Sequence, residues 1–544
     1  MSEHETAVGG RAWTRRRLMG TVPLLGAAAL AVACESPGGE ATPPESGATG
    51  PAASSGKDVA LVFGAYRDLV NGPEDPYFAH NQLNIWESLT YLDNNLVAQP
   101  LLTESYQMAP DGRSWTFKLR PNIKFHDGTP FDAGAVVANI ERYAKISPRR
   151  SSFTNFTMSE AYGDFEKVEA VDAMTVRIST STPTPALSNM MSNFYSAMFS
   201  PASFDDQGNF TGPPATTAPY RISDWKRGEY SVLTAFDGYR GGAPAVKQIT
   251  VRALADPSTR VNALKAEEVD ALMDLGAVLP EQAEGIKRDP NLRVGTQEIA
   301  LSHYLYVHGA KEPFNDVRVR RALNMAIDRE ALVKNTLLGY GVPGRSVIPP
   351  VAKRWARTDL KPPFDPNRAR SLAQEALGGK MVKALLLLST VQTTRYPYKS
   401  IAEIMQQAWR PLGFDVEIRT VDQAAWTQAL RAGEYDISFS TQSLPNGDPD
   451  LIFSRYLASN GSTATARNFG YQNAEADALI ASAARELDQA KRKAAYDRLQ
   501  QIAQEDAVFT PLFYDVLIFG YKAKVQNYTV DVNYKPSFPK LTVK

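Results

Sequence analysis

The sequence predicts a mixed α/β protein, and three stretches predict it. Residues 381–439 run strand, helix, strand, helix, strand. They comprise the apolar Met381–Leu388, a helical stripe of Ile401, Ile404, Met405, Ala408, Trp409 and Leu412 closed by Gly413, the alternating Phe414, Val416 and Ile418, a helix around Trp426–Leu430, and the strand Tyr435–Phe439. That spacing makes a parallel sheet with helical crossovers. Residues 102–119 read differently: Leu102, Glu104, Tyr106 and Met108 share one strand face, Pro110-Asp111-Gly112 turns the chain, and Trp115, Phe117 and Leu119 alternate with polar residues. A period of two on both sides of a turn means an antiparallel hairpin. Third, Asp132 stands as an N-cap before a helix with Val136, Val137, Ile140 and Tyr143 on one face. A chain of 544 residues has room for several domains.

The N-terminus is separate from this fold. Arg11 and Arg15-Arg16-Arg17 precede an apolar run, Leu18–Ala33, interrupted by Pro23 and Gly26. It is short for a membrane span and has the layout of a secretory signal. Thr14-Arg15-Arg16-Arg17-Leu18-Met19 fits a twin-arginine pattern and is preferred to a Sec signal with an Arg-rich start. Cys34 is the only cysteine, which excludes disulfides within the chain. Residues 35–57 are rich in Ser, Gly, Pro, Ala and Thr and read as a flexible tether. The formal charge of the whole chain is zero, and loss of residues 1–33, which hold four Arg and two Glu, would leave −2. No clustered Lys and Arg suggest nucleic-acid binding.

Beyond the tether, Val59–Phe63 is a short strand, and Asn122–His126 is expected to add another after the hairpin. Val168–Ser181 is a strand pair broken by Pro183-Thr184-Pro185; Val246–Val251 is a strand, with a helix near Leu264. The pattern changes near Ile299. Ser302–Val307 is a strand, Asp316 caps a helix carrying Val319, Ala322, Leu323, Ala326 and Ile327, and Asp365-Pro366 opens a helix that Gly378-Gly379 ends. Two helices occupy Ala474 to about Gln504, and Phe509–Tyr521 is strand-like.

Motifs for chemistry are sparse. Gly339-Tyr340-Gly341-Val342-Pro343-Gly344 matches G-x-G-x-x-G, but a helix precedes it and Pro343 sits inside it, so it is rejected as a loop. No G-x-S-x-G, H-E-x-x-H or P-loop occurs, and His4, His80, His126, His303 and His308 are too scattered for a local metal motif. His126-Asp127 lies in a strand–turn segment and is read as structural.

One set of motifs is specific. Pro100 and Leu101, Trp115-Thr116-Phe117-Lys118-Leu119-Arg120 and Lys124-Phe125-His126-Asp127-Gly128-Thr129-Pro130-Phe131 form one long block. Asp256-Pro257-Ser258-Thr259-Arg260 and Pro313-Phe314-Asn315-Asp316-Val317-Arg318-Val319-Arg320 follow. Together they resemble the extracytoplasmic solute-binding proteins of the oligopeptide, dipeptide and nickel ABC importers (family 5), over nearly all of the chain past the first fifty or so residues. Thr216-Thr217-Ala218-Pro219-Tyr220 stands where the family carries G-T-G-P-Y, with both glycines replaced. The resemblance implies a two-lobe periplasmic-binding-protein-like fold (type II, cluster C) with an extra subdomain in lobe I. The expected layout is a signal peptide at 1–33, a lipid-anchored linker at 34–57, lobe I at 58–298 with the subdomain at about 100–205, lobe II at 299–508, and a return to lobe I at 509–544. It implies a monomeric binding protein with no catalytic role, no cofactor and no resident metal. Such a protein takes a small solute, most simply a di- or oligopeptide, to membrane permease subunits; a nickel chelate, another small organic solute, a sensor or chaperone, or a secreted hydrolase are the alternatives.

The resemblance also proposes site residues. Arg395-Tyr396-Pro397-Tyr398 is similar to an R-P-Y segment whose Arg clamps a ligand carboxylate, a role that suits a planar bidentate donor; an exposed loop Arg is the competing reading. Asn446-Gly447-Asp448-Pro449-Asp450 is similar to a cleft segment in which dipeptide binders place an amine-binding Asp three positions before Asp448; here that position is Pro445. Asp448 and Asp450 are substitutes for it or helix caps. Ser443 and Leu444 replace the His and Trp of nickel-type members, Arg149-Arg150 stands where those members place an arginine near the cleft, with Arg150 the candidate, and His80 and Asn81 lie on the early cleft loop. Cys34, after Leu30-Ala31-Val32-Ala33, resembles a lipobox with Ala31 in place of the usual Leu. If Cys34 is the lipidation site, Cys34→Ala should abolish incorporation of labelled palmitate and release the protein from membranes; unchanged labelling and fractionation would refute this.

Overall fold

The computed structural model describes residues 59–69, 72, 75–149 and 156–544. Cys34, Arg150, the signal segment and the tether lie outside these residues.

An eleven-stranded mixed sheet runs through the protein. One half is the parallel sheet expected from residues 381–439. Val382–Ser389 pairs in parallel with Phe414–Val421 on one side and Ile437–Ser443 on the other. The crossover helices are Tyr398–Trp409 and Gln423–Ala432. The other half holds Val59–Ala65, parallel to Val246–Ala253 and to Ala271–Leu272, with the antiparallel Tyr230–Ala235 and Tyr220–Lys226 at its edge.

Two long strands join the halves. Leu292–Val307 and Phe509–Lys522 pair antiparallel; one continues to Ile437–Ser443 and the other to Ala271–Leu272. Their register breaks between Glu298 and Ser302 and again between His303 and Tyr304. The strand expected at Ser302 therefore starts ten residues earlier, at Leu292. The exposed Arg293, Thr296-side and Glu298 positions hide its first part from an apolar-run reading. Gly341–Pro343, expected as loop, adds a short strand against Phe513–Asp515.

A separate four-stranded sheet contains the predicted hairpin, Thr103–Met108 with Ser114–Leu119, followed in space by Thr175–Thr180 and Phe165–Asp172. Trp115, Phe117 and Leu119 are buried, and Trp115 Nε1 donates to the Thr184 carbonyl at 3.0 Å. The helix Ala133–Ile146 starts where Asp132 accepts from the Ala135 amide. Asn122–His126 is not a strand. Asn122 has φ 61°, and the Phe125 amide donates to the Thr129 carbonyl, so the segment closes on itself as a turn. Both nitrogens of His126 are spent on residues 216–218: Nε2 donates to the Ala218 carbonyl and Nδ1 accepts from the Thr216 amide. Ile404, expected in the core stripe of its helix, is 47% exposed. At about 100° per residue it falls roughly 60° outside the arc opened by Ile401 and shared by Met405 and Trp409.

The motif Asp256–Arg260 has a physical reason in the fold. Asp256 caps the helix Pro257–Lys265, Pro257 fills its first turn, and Arg260 points inward with no exposed surface. Its guanidinium donates to the carbonyls of Leu254, Ala255, Gly276 and Ala277, and no carboxylate among the described residues pairs with it. Burial lowers its pKa to about 10, opposed in part by Asp274. Arg260→Met would leave four carbonyls without a donor, each worth about 1–3 kcal/mol when buried unsatisfied. Urea unfolding should show a loss of at least about 3 kcal/mol; a loss below 1 kcal/mol would show that the carbonyls find other donors.

Candidate functional site

The long strand pair separates two lobes of sheet, and a cavity of about 760 Å³ lies between them. Lobe I contributes Tyr77, Asn81, Phe156 and Phe194; lobe II contributes Arg395, Tyr396, Trp426, Arg455, Tyr456 and Arg467. Arg431 stands exposed at the rim. Four arginines thus line the cavity, and no Asp or Glu among the described residues does.

Each arginine is placed by a local device. Ser389 forms a capping box with Gln392 and starts the short helix Thr390–Arg395, which ends on Arg395. The Arg395 guanidinium reaches across to lobe I: Nη2 lies 3.4 Å from Asp274 Oδ1, and Nε donates to the Leu275 carbonyl at 3.2 Å. Burial works against its charge, but Asp274 together with Tyr396 and Tyr77 outweighs it and raises the pKa. Arg455, on the turn Phe453–Leu457, spans the lobes too. Its Nε is 3.4 Å from Glu160 and its guanidinium stacks 4.5 Å over Phe156. Glu160 also accepts from Ser462 Oγ at 2.7 Å, and it is fixed by a capping box with Thr157. Arg467 is different. Nη1 donates to Ser440 Oγ at 2.8 Å, the Trp426, Tyr306 and Tyr456 rings lie 5.5–5.8 Å away, and no carboxylate among the described residues pairs with it.

The lobes meet closely at two glycines. Gly276 has φ +70°, and a Cβ there would come 2.6 Å from the Arg395 carbonyl; Gly447 has φ +66°, and its Cβ would come 2.3 Å from the Leu96 carbonyl. Beside Gly447, Asn189 Nδ2 donates to the Asn446 carbonyl at 2.8 Å.

The structure brings only part of the sequence-derived set together. Arg395, Tyr396 and Asn81 line the cavity. Tyr398 lies beneath it, fully buried, with its hydroxyl 2.7 Å from His303 Nδ1. Asn446 is buried at the lobe contact. Asp448 is buried in a bidentate pair with Arg492, at 2.6 and 2.8 Å, and its Oδ1 caps the Asp450 amide; it is used up as a structural anchor. Asp450 faces Tyr496, whose hydroxyl donates to it at 3.4 Å. His80 lines a second cavity. Arg149 is tied to the loop at Gln207 and Asn209. Arg455, Arg467, Trp426 and Tyr456 were not found from sequence. They sit in no motif, and only the fold brings them together.

The sequence profile of the bacterial extracellular solute-binding proteins, family 5 Middle, matches residues 97–464. The chain belongs to this family. Family 5 proteins are the solute-binding components of ABC importers, extracytoplasmic proteins that bind small ligands or peptides and work with a permease. The glutathione-binding protein GsiB of Escherichia coli (strain K12) is 28% identical over 492 residues, 88% of this chain and 93% of GsiB. NikA from Brucella suis, solved in complex with Fe(III)-EDTA, superposes with a TM-score of 0.79 at 27% identity, covering 90% of this chain and all of NikA. DppA from Helicobacter pylori, solved with the peptide STSA, shares the fold with a TM-score of 0.74 at 24% identity, over 89% of this chain and 98% of DppA. The two-lobe family 5 fold is therefore the fold of this chain. Among the described residues no group of His, Cys, Asp and Glu could hold a metal ion, and no helix is long and apolar enough to cross a membrane.

Burial, reinforced by Asp448, raises the Asp450 pKa to about 6, against about 3.9 in an unfolded chain. Between these values the native state holds a proton that the unfolded state has released, so stability falls as pH rises from about 4 to about 6 and is flat above. Asp450→Asn should remove that fall and be more stable than the wild type at neutral pH, by on the order of 1 kcal/mol. Urea unfolding at pH 4.5 and 7.5 checks this; the same pH slope in both proteins would refute it.

Proposed function

We propose that this family 5 protein captures a multiply anionic solute, of the acidic-peptide kind, between its lobes and delivers it to the importer's permease. The observation that carries the reading is a cleft lined by four arginines and no described carboxylate. Carboxylates are the natural partners of such a lining, because guanidinium–carboxylate pairs are bidentate and charge-assisted. A zwitterionic dipeptide fits less well. Its amine needs an acid, yet Pro445 occupies the amine-binding position and Asp448 is committed to Arg492. GsiB is named for glutathione, a peptide with two carboxylates and one amine, and supports this choice. The Fe(III)-EDTA in NikA supports a second reading, a polycarboxylate chelate, with the same charge logic. The proposed export route is the twin-arginine signal, with anchoring through Cys34.

Within this reading Arg467 is the arginine most available to ligand, and Arg395 and Arg455 hold the lobes closed around it. A buried hydrogen bond to a charged group contributes roughly 1.5–3 kcal/mol, and about 1.4 kcal/mol is a factor of ten. Calorimetry with glutathione, its diamide and Fe(III)-EDTA tests the proposal. Glutathione should bind, Arg467→Met should weaken it at least tenfold, Arg395→Ala should weaken it about as much, and the diamide should bind poorly to all three proteins. Binding of Fe(III)-EDTA alone moves the solute to a chelate. No binding of either anion, or equal binding of acid and diamide, refutes an anionic ligand.

A further inference from the structure

The buried arginine of the motif Asp256–Arg260 and the cleft arginine Arg395 meet on one short loop of lobe I, residues 274–277. From inside lobe I, Arg260 donates to the carbonyl of Gly276 at 2.6 Å and to that of Ala277 at 3.2 Å. From lobe II, Arg395 Nε donates to the carbonyl of Leu275 at 3.2 Å, Nη2 lies 3.4 Å from Asp274 Oδ1, and the guanidinium stands 5.2 Å over the Tyr66 ring. Three successive carbonyls of one loop thus serve two arginines from two lobes. Burial disfavours the charge of both, and at each Asp274 is the leading group that opposes it.

The loop is shaped to receive a side chain from outside. Asp274 has φ +80° and Gly276 φ +70°. A left-handed aspartate is uncommon, and backbone outliers of this kind gather at clamps and switch regions. Gly276 leaves room for the Arg395 backbone, which a Cβ there would meet at 2.6 Å. Arg260 has no exposed surface, and all its carbonyl partners lie in lobe I, so it holds the back of the loop whether or not the lobes touch. The front is only half engaged. Asp274 Oδ1 accepts the Leu275 amide at 2.6 Å and stands 3.4 Å from Arg395, while Oδ2 is buried without a hydrogen bond among the described residues. Arginine–carboxylate pairs inside a lobe are complete by contrast. Asp448 takes Arg492 at 2.6 and 2.8 Å, and Glu87 takes Arg240 at 2.6 and 2.8 Å. A two-pronged bond at Asp274 needs Arg395 to advance by about 0.6 Å, the difference from an ordinary charge-assisted hydrogen bond.

We propose that residues 274–277 are a preformed socket for Arg395, in which Asp274 receives the guanidinium when the lobes close and Arg260 is the positioning residue that keeps the socket in shape. The second bond to Asp274 forms only in the fully closed protein, so the pair is a latch between the lobes and not a prop of either one. The inference concerns closure, goes beyond the anionic-solute reading, and needs no solute for its first test.

Small-angle scattering of the ligand-free full chain is that test. Asp274→Asn and Arg395→Ala should each raise the radius of gyration, and the double variant should match the singles, because either change removes the same contact. Arg260→Lys keeps a charge but reaches fewer of the four carbonyls, and it should expand the protein in the same way. Arg498→Ala, which breaks pairs with Glu475 and Glu505 inside lobe II, should leave the radius at the wild-type value. Urea unfolding separates a latch from a structural pair: Asp274→Asn should unfold with the wild type, whereas Asp448→Asn, which breaks a pair inside one lobe, should unfold at a lower urea concentration. Calorimetry with glutathione then reads the effect on capture, with Asp274→Asn and Arg395→Ala each at least fivefold weaker and the double variant within about twofold of either. The proposal is overturned if the ligand-free radii of the wild type, Asp274→Asn and Arg395→Ala coincide, if the effects of the two substitutions add, if a folded Arg260→Lys is as compact as the wild type, or if Asp274→Asn loses as much stability as Asp448→Asn. If glutathione binds none of the proteins, the anionic-solute reading falls and the scattering alone decides the latch.

Discussion

The pairing of Leu292–Val307 with Phe509–Lys522 is the constraint on which the rest depends. Each strand belongs to both halves of the sheet, so the lobes are one hydrogen-bonded unit at their seam and can move only where that seam is weak. The weak place is visible: two register breaks between Glu298 and Tyr304 remove ladder bonds in the middle of a strand that is continuous on either side. His303 sits in this break, stacked 4.0 Å over Phe513 and bonded to Tyr398, with Asp515 Oδ2 3.4 Å from its other nitrogen. Packing therefore holds the seam in place where the ladder does not. Both cavities border this region, one through Leu301 and the other through Gln297 and Ala300.

Closure is set by charge as well as by the seam. Arg395 and Arg455 each pair with a carboxylate of the opposite lobe, Asp274 and Glu160, at the longer end of ion-pair distance. Both pairs are largely buried, so the cost of desolvating the charges offsets much of their attraction. They bias the lobes toward contact without locking them. Gly276 and Gly447 let the two backbones approach at these contacts, since a side chain at either would collide with a carbonyl of the other lobe.

How legible this was depends on the length scale of the signal. The parallel half of the sheet was readable because each strand and helix is local, and the caps Asp316 and Asp365 were readable in the same way. The hairpin at Thr103–Leu119 was readable for the same reason. The long strand was not, because residues 293–298 alternate around exposed polar side chains and carry no apolar run. The turn at Asn122–His126 looked like a strand because alternation says nothing of a positive φ. The site was least legible. Arg395 and Tyr396 lie on a recognisable segment, but Arg467 acquires its setting from Ser440, Trp426 and Tyr306, and Asp448 loses its availability to Arg492, 44 residues away.

The same burial that hides Asp448 explains why the chemistry of this cleft is one-sided. An Asp freed from Arg492 would strand a guanidinium with 2% of its side chain exposed, an uncompensated buried charge that costs several kcal/mol. The helix Gln489–Asp506 is held through this pair and through the Tyr496 hydroxyl on Asp450, so the carboxylate cannot serve a ligand amine without loosening the lobe. With Pro445 offering no acid either, nothing described in the cleft offsets the field of Arg395, Arg455, Arg467 and Arg431 beyond the two interlobe pairs. Bringing the lobes together concentrates these like charges in a low-dielectric space, where their mutual repulsion grows. An anionic solute removes that repulsion and adds bidentate bonds, so it stabilises the closed form more than the open one. Differential affinity of this sort is the only way a ligand drives a closure, and here it follows from which acids the fold has already used.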